Sequence, residues 1–153
     1  MGDEVALTDG DVPLLDVNVL IALAWPNHVH HSRAHAWFDG VRAWATCPLT
    51  QSGFVRVSSN RRAIPDAVTP AEARALLAEL VAIDGHRFWE DSVSIAGTGH
   101  GSFDRVVSYR QVTDAHLVEL AADRGGHVAT FDRGVQDVVP PDLEPESRVR
   151  LIP

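Results

Sequence analysis

Val12-Pro13-Leu14-Leu15-Asp16-Val17-Asn18-Val19-Leu20-Ile21-Ala22-Leu23-Ala24 is the stretch whose reading decides the fold. From Val12 to Leu15 the run is short and apolar at successive positions, the pattern of a parallel strand covered on both faces. Asn18 to Ala24 reads as a helix that must stop before Pro26, because the residue ahead of a proline is pushed out of the helical region. Asp16 therefore stands where a buried strand gives way to a helix.

Outward from this segment the alternation repeats. Ser32 to Val41 carries Ala34, Trp37, Phe38 and Val41 at helical spacing and ends near Gly40. Ala45 to Pro48 is a short strand, and Thr50 is placed to cap a helix bearing Phe54, Val55 and Val57 as far as Asn60. Thr69, Pro70 and Glu72 supply the cap, first-position proline and first-turn acid of a helix that reaches Asp84, with Gly85 as its stop. His86 to Ile95 is expected to be extended, and Gly97 to Gly101 has the composition of a mobile loop. Thr113 is placed to cap a helix with Ala115, Leu117, Leu120 and Ala121 on one side, ended by Gly125-Gly126. His127 to Phe131 and Val149 to Ile152 are the remaining strands. Strands alternating with helices imply an α/β domain whose parallel sheet has helices on both faces and right-handed crossovers. Met1 to Asp11, polar and acidic, reads as a flexible leader to a single domain over 12–153.

A chain of 153 residues with 45% hydrophobic content can bury one real core. The single cysteine, Cys47, cannot form an internal disulfide, and no charged start followed by an apolar stretch marks the chain for export; a cytoplasmic protein is expected. No apolar run is long enough to cross a bilayer, since Leu14 to Trp25 is interrupted by Asp16 and Asn18. A formal charge of −8 argues against a protein that coats nucleic acid nonspecifically, because such affinity comes mainly from cations that neutralise phosphates. It leaves a nucleic-acid enzyme open, for part of that charge can belong to a metal site. All 13 basic side chains are Arg, the type suited to bidentate phosphate contact. Arg56, Arg61 and Arg62 are the densest basic group and are candidates for that contact; the competing reading is a solvated helix end, where cations are favoured anyway.

Three acids mark the chemistry. Asp16 follows the first strand, Asp132 follows the strand ending at Thr130 and Phe131, and Asp114 opens a helix. In an open α/β sheet the ligand crevice lies beyond the carboxyl ends of the strands, so acids distant in sequence can converge there. Hard oxygen donors of this kind suit Mg²⁺ or Mn²⁺, and carboxylates held together repel unless a cation joins them. Each also has a plain alternative: Asp16 as a helix cap, Asp114 as a first-turn acid, Asp132 as a turn residue before Arg133-Gly134.

Leu14-Leu15-Asp16-Val17-Asn18-Val19-Leu20-Ile21-Ala22-Leu23, the histidine-rich stretch to Ala36-Trp37-Phe38, Leu49-Thr50-Gln51-Ser52-Gly53-Phe54-Val55-Arg56-Val57, Thr113-Asp114-Ala115-His116-Leu117 and Ala129-Thr130-Phe131-Asp132-Arg133-Gly134 together resemble a PIN domain. More narrowly, they resemble the VapC ribonuclease toxins of bacterial type II toxin–antitoxin systems, from Leu14 to the C-terminus and with the motifs in the family's order. The resemblance implies a three-layer α/β/α PIN-like fold with a mostly parallel central sheet. It implies that Asp16, Asp114 and Asp132 are metal-site residues of a Mg²⁺- or Mn²⁺-dependent RNA endonuclease, with Asn18 and Thr130 as polar supports. A VapB-like antitoxin, seated in a groove of the first helices, and a homodimer are implied as partners.

The family carries a further glutamate early in the helix after the second strand, in a Thr-x-x-Glu pattern. Here the pattern reads Thr50-Gln51-Ser52-Gly53, so the glutamate is missing. Gln51 could offer a weaker carbonyl ligand, and Glu90 or Asp91 could supply an oxygen from another direction. Loss of a carboxylate also supports a rival reading, a noncatalytic PIN-like module that binds RNA or protein through a degraded metal site. A haloacid-dehalogenase-type phosphatase needs a second Asp two positions after the first, where this chain has Asn18. His28, His30, His31 and His35 raise a zinc alternative, since His31 and His35 can meet on one helical face; the competing role is packing. His116 is expected on a helix surface, and Trp25, Trp37, Trp44 and Trp89 as core or interface anchors.

Overall fold

In a computed structural model that describes residues 12–153, the first strand, β1 (Pro13–Leu15), is buried at every position and opens on a proline that no ladder donor is asked of. The leader expected over 1–11 lies outside the described residues. After β1 come α1 (Val17–Ala24), α2 (His31–Phe38), β2 (Trp44–Thr46), α3 (Pro48–Ser58), α4 (Pro70–Val81), β3 (His86–Phe88), α5 (Val112–Asp123), β4 (His127–Thr130) and β5 (Val149–Leu151). The five strands form one sheet in the order β3-β2-β1-β4-β5, and every pairing is parallel. The chain builds outward from β1 to β3, then returns to the other side of β1 for β4. The order thus reverses between β1 and β4, the place where an open parallel sheet leaves a crevice at its carboxyl end.

Alternation along the strands feeds two cores. Leu14, Ala45, Val128 and Val149 pack with Ala115, Leu117, Val118 and Ala121 of α5 on one face. Leu15, Trp44 and Ala129 pack on the other with Val19, Leu20 and Leu23 of α1, Ala34 of α2 and Phe54 of α3. The layers are therefore α1 to α4, sheet, α5. Five consecutive buried residues, Val19 to Leu23, make α1 a helix enclosed all round, which is why its sequence has no polar face.

Two helix starts differ from the sequence expectation. α3 begins at Pro48 with Cys47 as its cap residue, and Thr50 is the third helical residue; its hydroxyl accepts from the Cys47 N–H at 3.0 Å. α5 begins at Val112, directly after a 3₁₀ turn over Tyr109–Gln111, so Thr113 lies inside the helix and caps nothing. A hydroxyl two or three residues into a helix has the same sequence signature as one just outside it. α4 matches expectation: Thr69 and Glu72 close a reciprocal capping box after Pro70.

Only His86 to Phe88 of the expected extended segment joins the sheet. The loop expected to be mobile is instead tied to α5. Buried Glu119 accepts the His100 N–H at 2.6 Å and the Ser102 N–H at 2.8 Å, and any Cβ on Gly99 would lie 2.6 Å from its Oε2. A buried carboxylate is tolerable only with such donors, so the loop and the helix hold each other.

α1 and α3 meet at Gly53, where a Cβ would come 2.5 Å from Val17 Cγ2. Gly53→Ala must displace the side chain of Val17, the residue next to Asp16 at the start of α1; a loss of about 1–3 kcal/mol is expected in chemical denaturation, beyond any gain from the better helix former.

Candidate active site

Asp16 is the N-cap of α1, in extended conformation at φ −60° and ψ 155°. Its Oδ1 accepts the Val17 N–H at 2.8 Å, and its Oδ2 accepts the Thr130 hydroxyl at 2.8 Å. Thr130 ends β4 and is fully buried. Besides donating to Asp16, its oxygen accepts the Asp132 N–H at 3.0 Å and the Asn18 side-chain amide at 3.3 Å. A hydroxyl has one hydrogen and two lone pairs, so Thr130 is used to capacity. Asp132 caps the 3₁₀ turn Arg133–Val138 by accepting the Gly134 N–H at 2.8 Å through Oδ1. The cap and turn roles open to Asp16 and Asp132 from sequence are thus both real, and for Asp16 only one carboxylate oxygen is spent on the cap.

Asp114 comes from the opposite layer, as the third residue of α5. Its charge is felt across the crevice: burial, then Asp16, then Asp132 push its carboxyl up to about 6. Asp16 is also raised, mainly by burial and further by Asp132, against the lowering effect of its bonds from Thr130 and Val17. The three aspartates therefore share one electrostatic environment. They do not close into a cage, for among the described residues no three His, Cys, Asp or Glu side chains are disposed to hold a metal ion.

The raised Asp114 has a consequence for stability. Between its ordinary value of 3.8 and about 6 the folded chain keeps a proton that the unfolded chain has lost. That contribution is complete below 3.8 and disappears as pH rises through about 6. In chelator, the melting temperature should fall across this window, and Asp114→Asn should flatten the fall; an unchanged slope in the variant would contradict the coupling.

The chain matches the family described as PIN domain over residues 14–139. It is 50% identical to Ribonuclease VapC39 of Mycobacterium tuberculosis over 126 residues, 81% of this chain and 91% of the relative. Identity to Ribonuclease VapC38 of the same organism is 52% over 124 residues, 80% of this chain and 86% of the relative; to Ribonuclease VapC44 it is 45% over 124 residues, 80% and 87%. The chain belongs to the PIN-domain family. Within it, the similarity is to the VapC branch, as the sequence motifs had implied.

In this PIN domain, the position that the Thr-x-x-Glu pattern assigns to a carboxylate is Gly53, buried against Val17 with no room for a side chain. The polar side chain that α3 does bring to the carboxyl end of β2 is Gln51. Its Nε2 donates to Thr46 Oγ1 at 3.0 Å, and that oxygen lies 2.7 Å from His86 Nε2. The Thr46–His86 support was missed from sequence, although Thr46 ends β2 as Thr130 ends β4. Asp91 is already engaged: Oδ1 accepts the Val93 N–H at 3.0 Å and Oδ2 lies 2.8 Å from His116 Nε2. Glu90 is drawn toward the other end of α5, where Arg124 donates to its carbonyl at 2.8 Å. His116, expected at the surface, is buried between Asp91 and the Phe103 ring.

The histidines of the α1–α2 region are structural. His31 Nδ1 lies 2.7 Å from the Ala22 carbonyl and His35 Nε2 2.9 Å from that of Leu23, so two carbonyls that the end of α1 leaves open are satisfied. His28 accepts the His30 N–H at 3.0 Å, and His30 stacks on Phe131. This replaces the zinc alternative with the packing one. Trp44 and Trp89 are core residues, while Trp25 is half-buried and donates to Ser58 Oγ at 3.2 Å. Arg56 is exposed on α3 beside a groove shared with Gln51 and Arg74. Arg61 and Arg62 lie exposed beyond the C-terminal end of α3.

Thr130→Val removes a donor from Asp16 and an acceptor from both Asp132 and Asn18 while keeping the shape. A loss of about 1–3 kcal/mol is expected in thermal or urea unfolding, together with a further rise of the Asp16 pKa measurable by carboxyl-carbon NMR.

Proposed function

We propose that this chain is an endoribonuclease toxin of the VapC type, which hydrolyses RNA phosphodiester bonds with Mg²⁺ or Mn²⁺ at Asp16, Asp114 and Asp132. The observation that carries the reading is the convergence at the reversal point of the sheet, where Thr130 donates to Asp16 and accepts from the Asp132 N–H, and where burial and both of these acids raise Asp114. The relatives named above are called ribonucleases, which favours catalysis over the noncatalytic RNA- or protein-binding alternative.

The residues fit a hydrated cation. Every donor is a hard oxygen, and Mg²⁺ retains several waters while taking one or two carboxylates directly, so an open triad suits it. Asn18 Oδ1 is buried without a hydrogen-bond partner among the described residues, the kind of deficit that ordered water relieves. When bound, such a cation supplies activation of water and neutralisation of charge on phosphate oxygens. Thr130 and the Val17 N–H hold Asp16 in one orientation, and Asn18 shares that support. One of the three carboxylates, ionised beside the cation, would accept the proton of the attacking water. Gln51, two residues before the position where the family pattern has its carboxylate, offers a weaker carbonyl ligand. Arg56, with Arg61 and Arg62 farther out, contacts RNA phosphates. A VapB-like antitoxin inhibits the enzyme by occupying the groove of the first helices, and the toxin acts as a homodimer in the cytoplasm. Among the described residues no helix is long and apolar enough to cross a membrane.

Asp16→Asn should abolish RNA cleavage in Mg²⁺ and in Mn²⁺ with an unchanged circular dichroism spectrum; full activity would remove the proposal. Gln51→Glu adds a negative charge at the carboxyl end of β2 and should tighten Mn²⁺ binding in calorimetry. Equal or weaker affinity would place Gln51 outside the ligand shell.

A further inference from the structure

We propose that Tyr109, with Arg110 against it, stacks an unpaired RNA base close to the phosphate being cut. This deepens the endoribonuclease reading and rests on it, naming a part of the substrate that the site grips.

Val107, Tyr109 and Val112 are 89%, 81% and 38% exposed, and all three precede Asp114 by only a few residues. One exposed apolar side chain is ordinary. Here a cluster is presented on a stiff mount. Gln111 Oε1 accepts the Val107 N–H at 2.8 Å and the Ser108 N–H at 3.2 Å, and Ser108 Oγ accepts the Arg110 N–H at 3.3 Å. The turn that carries Tyr109 then runs without a break into α5. Side chains held out by four residues' worth of hydrogen bonding are positioned for a contact, and the mount moves with the helix that holds Asp114.

The spacing suits a nucleotide chain. With about 2.0 Å of rise per residue in the 3₁₀ turn and about 1.5 Å in the helix, Tyr109 lies roughly 9 Å from Asp114 along the axis. A stacked strand advances about 3.4 Å per nucleotide, so the ring would meet a base about two or three nucleotides from the metal-site end. The chemistry suits RNA as well. The Arg110 guanidinium carbon is 5.7 Å from the Tyr109 ring centre, and its Nε donates to the Tyr109 hydroxyl at 3.3 Å. Arg105 and Arg110 are exposed and have no carboxylate partner among the described residues. They provide cations where the phosphate backbone must approach an acidic centre in a chain of charge −8. Aromatic rings and guanidinium planes are the surfaces on which proteins stack single-stranded bases.

The test uses the full chain with Asp16→Asn, so that RNA survives, and a fluorescein-labelled single-stranded RNA of mixed sequence in Mg²⁺. By anisotropy, Tyr109→Ala should weaken binding roughly 5-fold or more, and Tyr109→Trp should retain it. Replacing one base at a time by an abasic sugar should reveal a position whose loss costs affinity in the Tyr109 protein and nothing in Tyr109→Ala. In the Asp16 protein, Tyr109→Ala should raise KM with little change in kcat. Equal affinity of the Tyr and Ala forms, or equal abasic penalties at every position, would overturn the proposal. So would a change of mass in light scattering on Tyr109→Ala, which would make the residue a subunit contact. A wild-type chain that cuts RNA, with an Ala variant of identical KM and kcat, sinks only the base platform; a wild-type chain that cuts no RNA in either metal sinks the nuclease reading itself.

Discussion

The Thr130 hydroxyl ties the carboxyl ends of β1 and β4 together, and the rest of the site is arranged around it. It reaches Asp16 across 114 residues of sequence because the sheet reverses its strand order there. Its bond opposes the rise that burial imposes on the Asp16 carboxyl, while its lone pairs hold Asn18 and the start of the turn that displays Asp132. One side chain thereby links the two acids. Burial first, and then the like charges of Asp16 and Asp132, raise the carboxyl of Asp114, the acid that arrives from the other layer.

The two layers make different contributions. The α1–α3 side supplies close packing, with Gly53 allowing Val17 to seat and thus setting where α1 begins. The α5 side supplies a carboxylate whose position depends on the segment before the helix. Glu119 secures the loop at His100 and Ser102, and the hydrogen-bonded turn at Tyr109 delivers the chain to Val112. A buried carboxylate is a costly way to hold a loop, but with two backbone donors it gives a fixed approach to the helix start. The same turn carries Tyr109 and Arg110 directly ahead of α5.

Much of this was legible in residue order because it depends on local periodicity. β1, α1, α4 and β4 follow from apolar runs, a proline stop and a capping box. Asp16 and Asp132 could be found because strand exits in a parallel sheet all face one end. The starts of α3 and α5 could not, because Thr50 and Thr113 carry cap chemistry at positions the helix has already entered. His116 likewise followed a helix pattern whose polar member turned inward to meet Asp91, a partner 25 positions earlier that no local pattern announces. The four histidines near α2 looked like ligands to composition alone; His31 and His35 meet carbonyls at the end of α1, while His28 accepts a backbone N–H and His30 meets Arg33, contacts that composition does not announce.

By itself the amino-acid sequence determined the alternation of strands and helices, the acids at their junctions and the family to which the motifs point, since hydrophobic period and turn chemistry act over a few residues. Only the tertiary structure decided that Thr130 is the common support, that a Cβ at Gly53 would run into Val17, and that Gln51 bonds Thr46 at the carboxyl end of β2. Those outcomes depend on which strand lies beside β1 and on how closely two helices approach, and both are properties of the assembled layers rather than of any single segment.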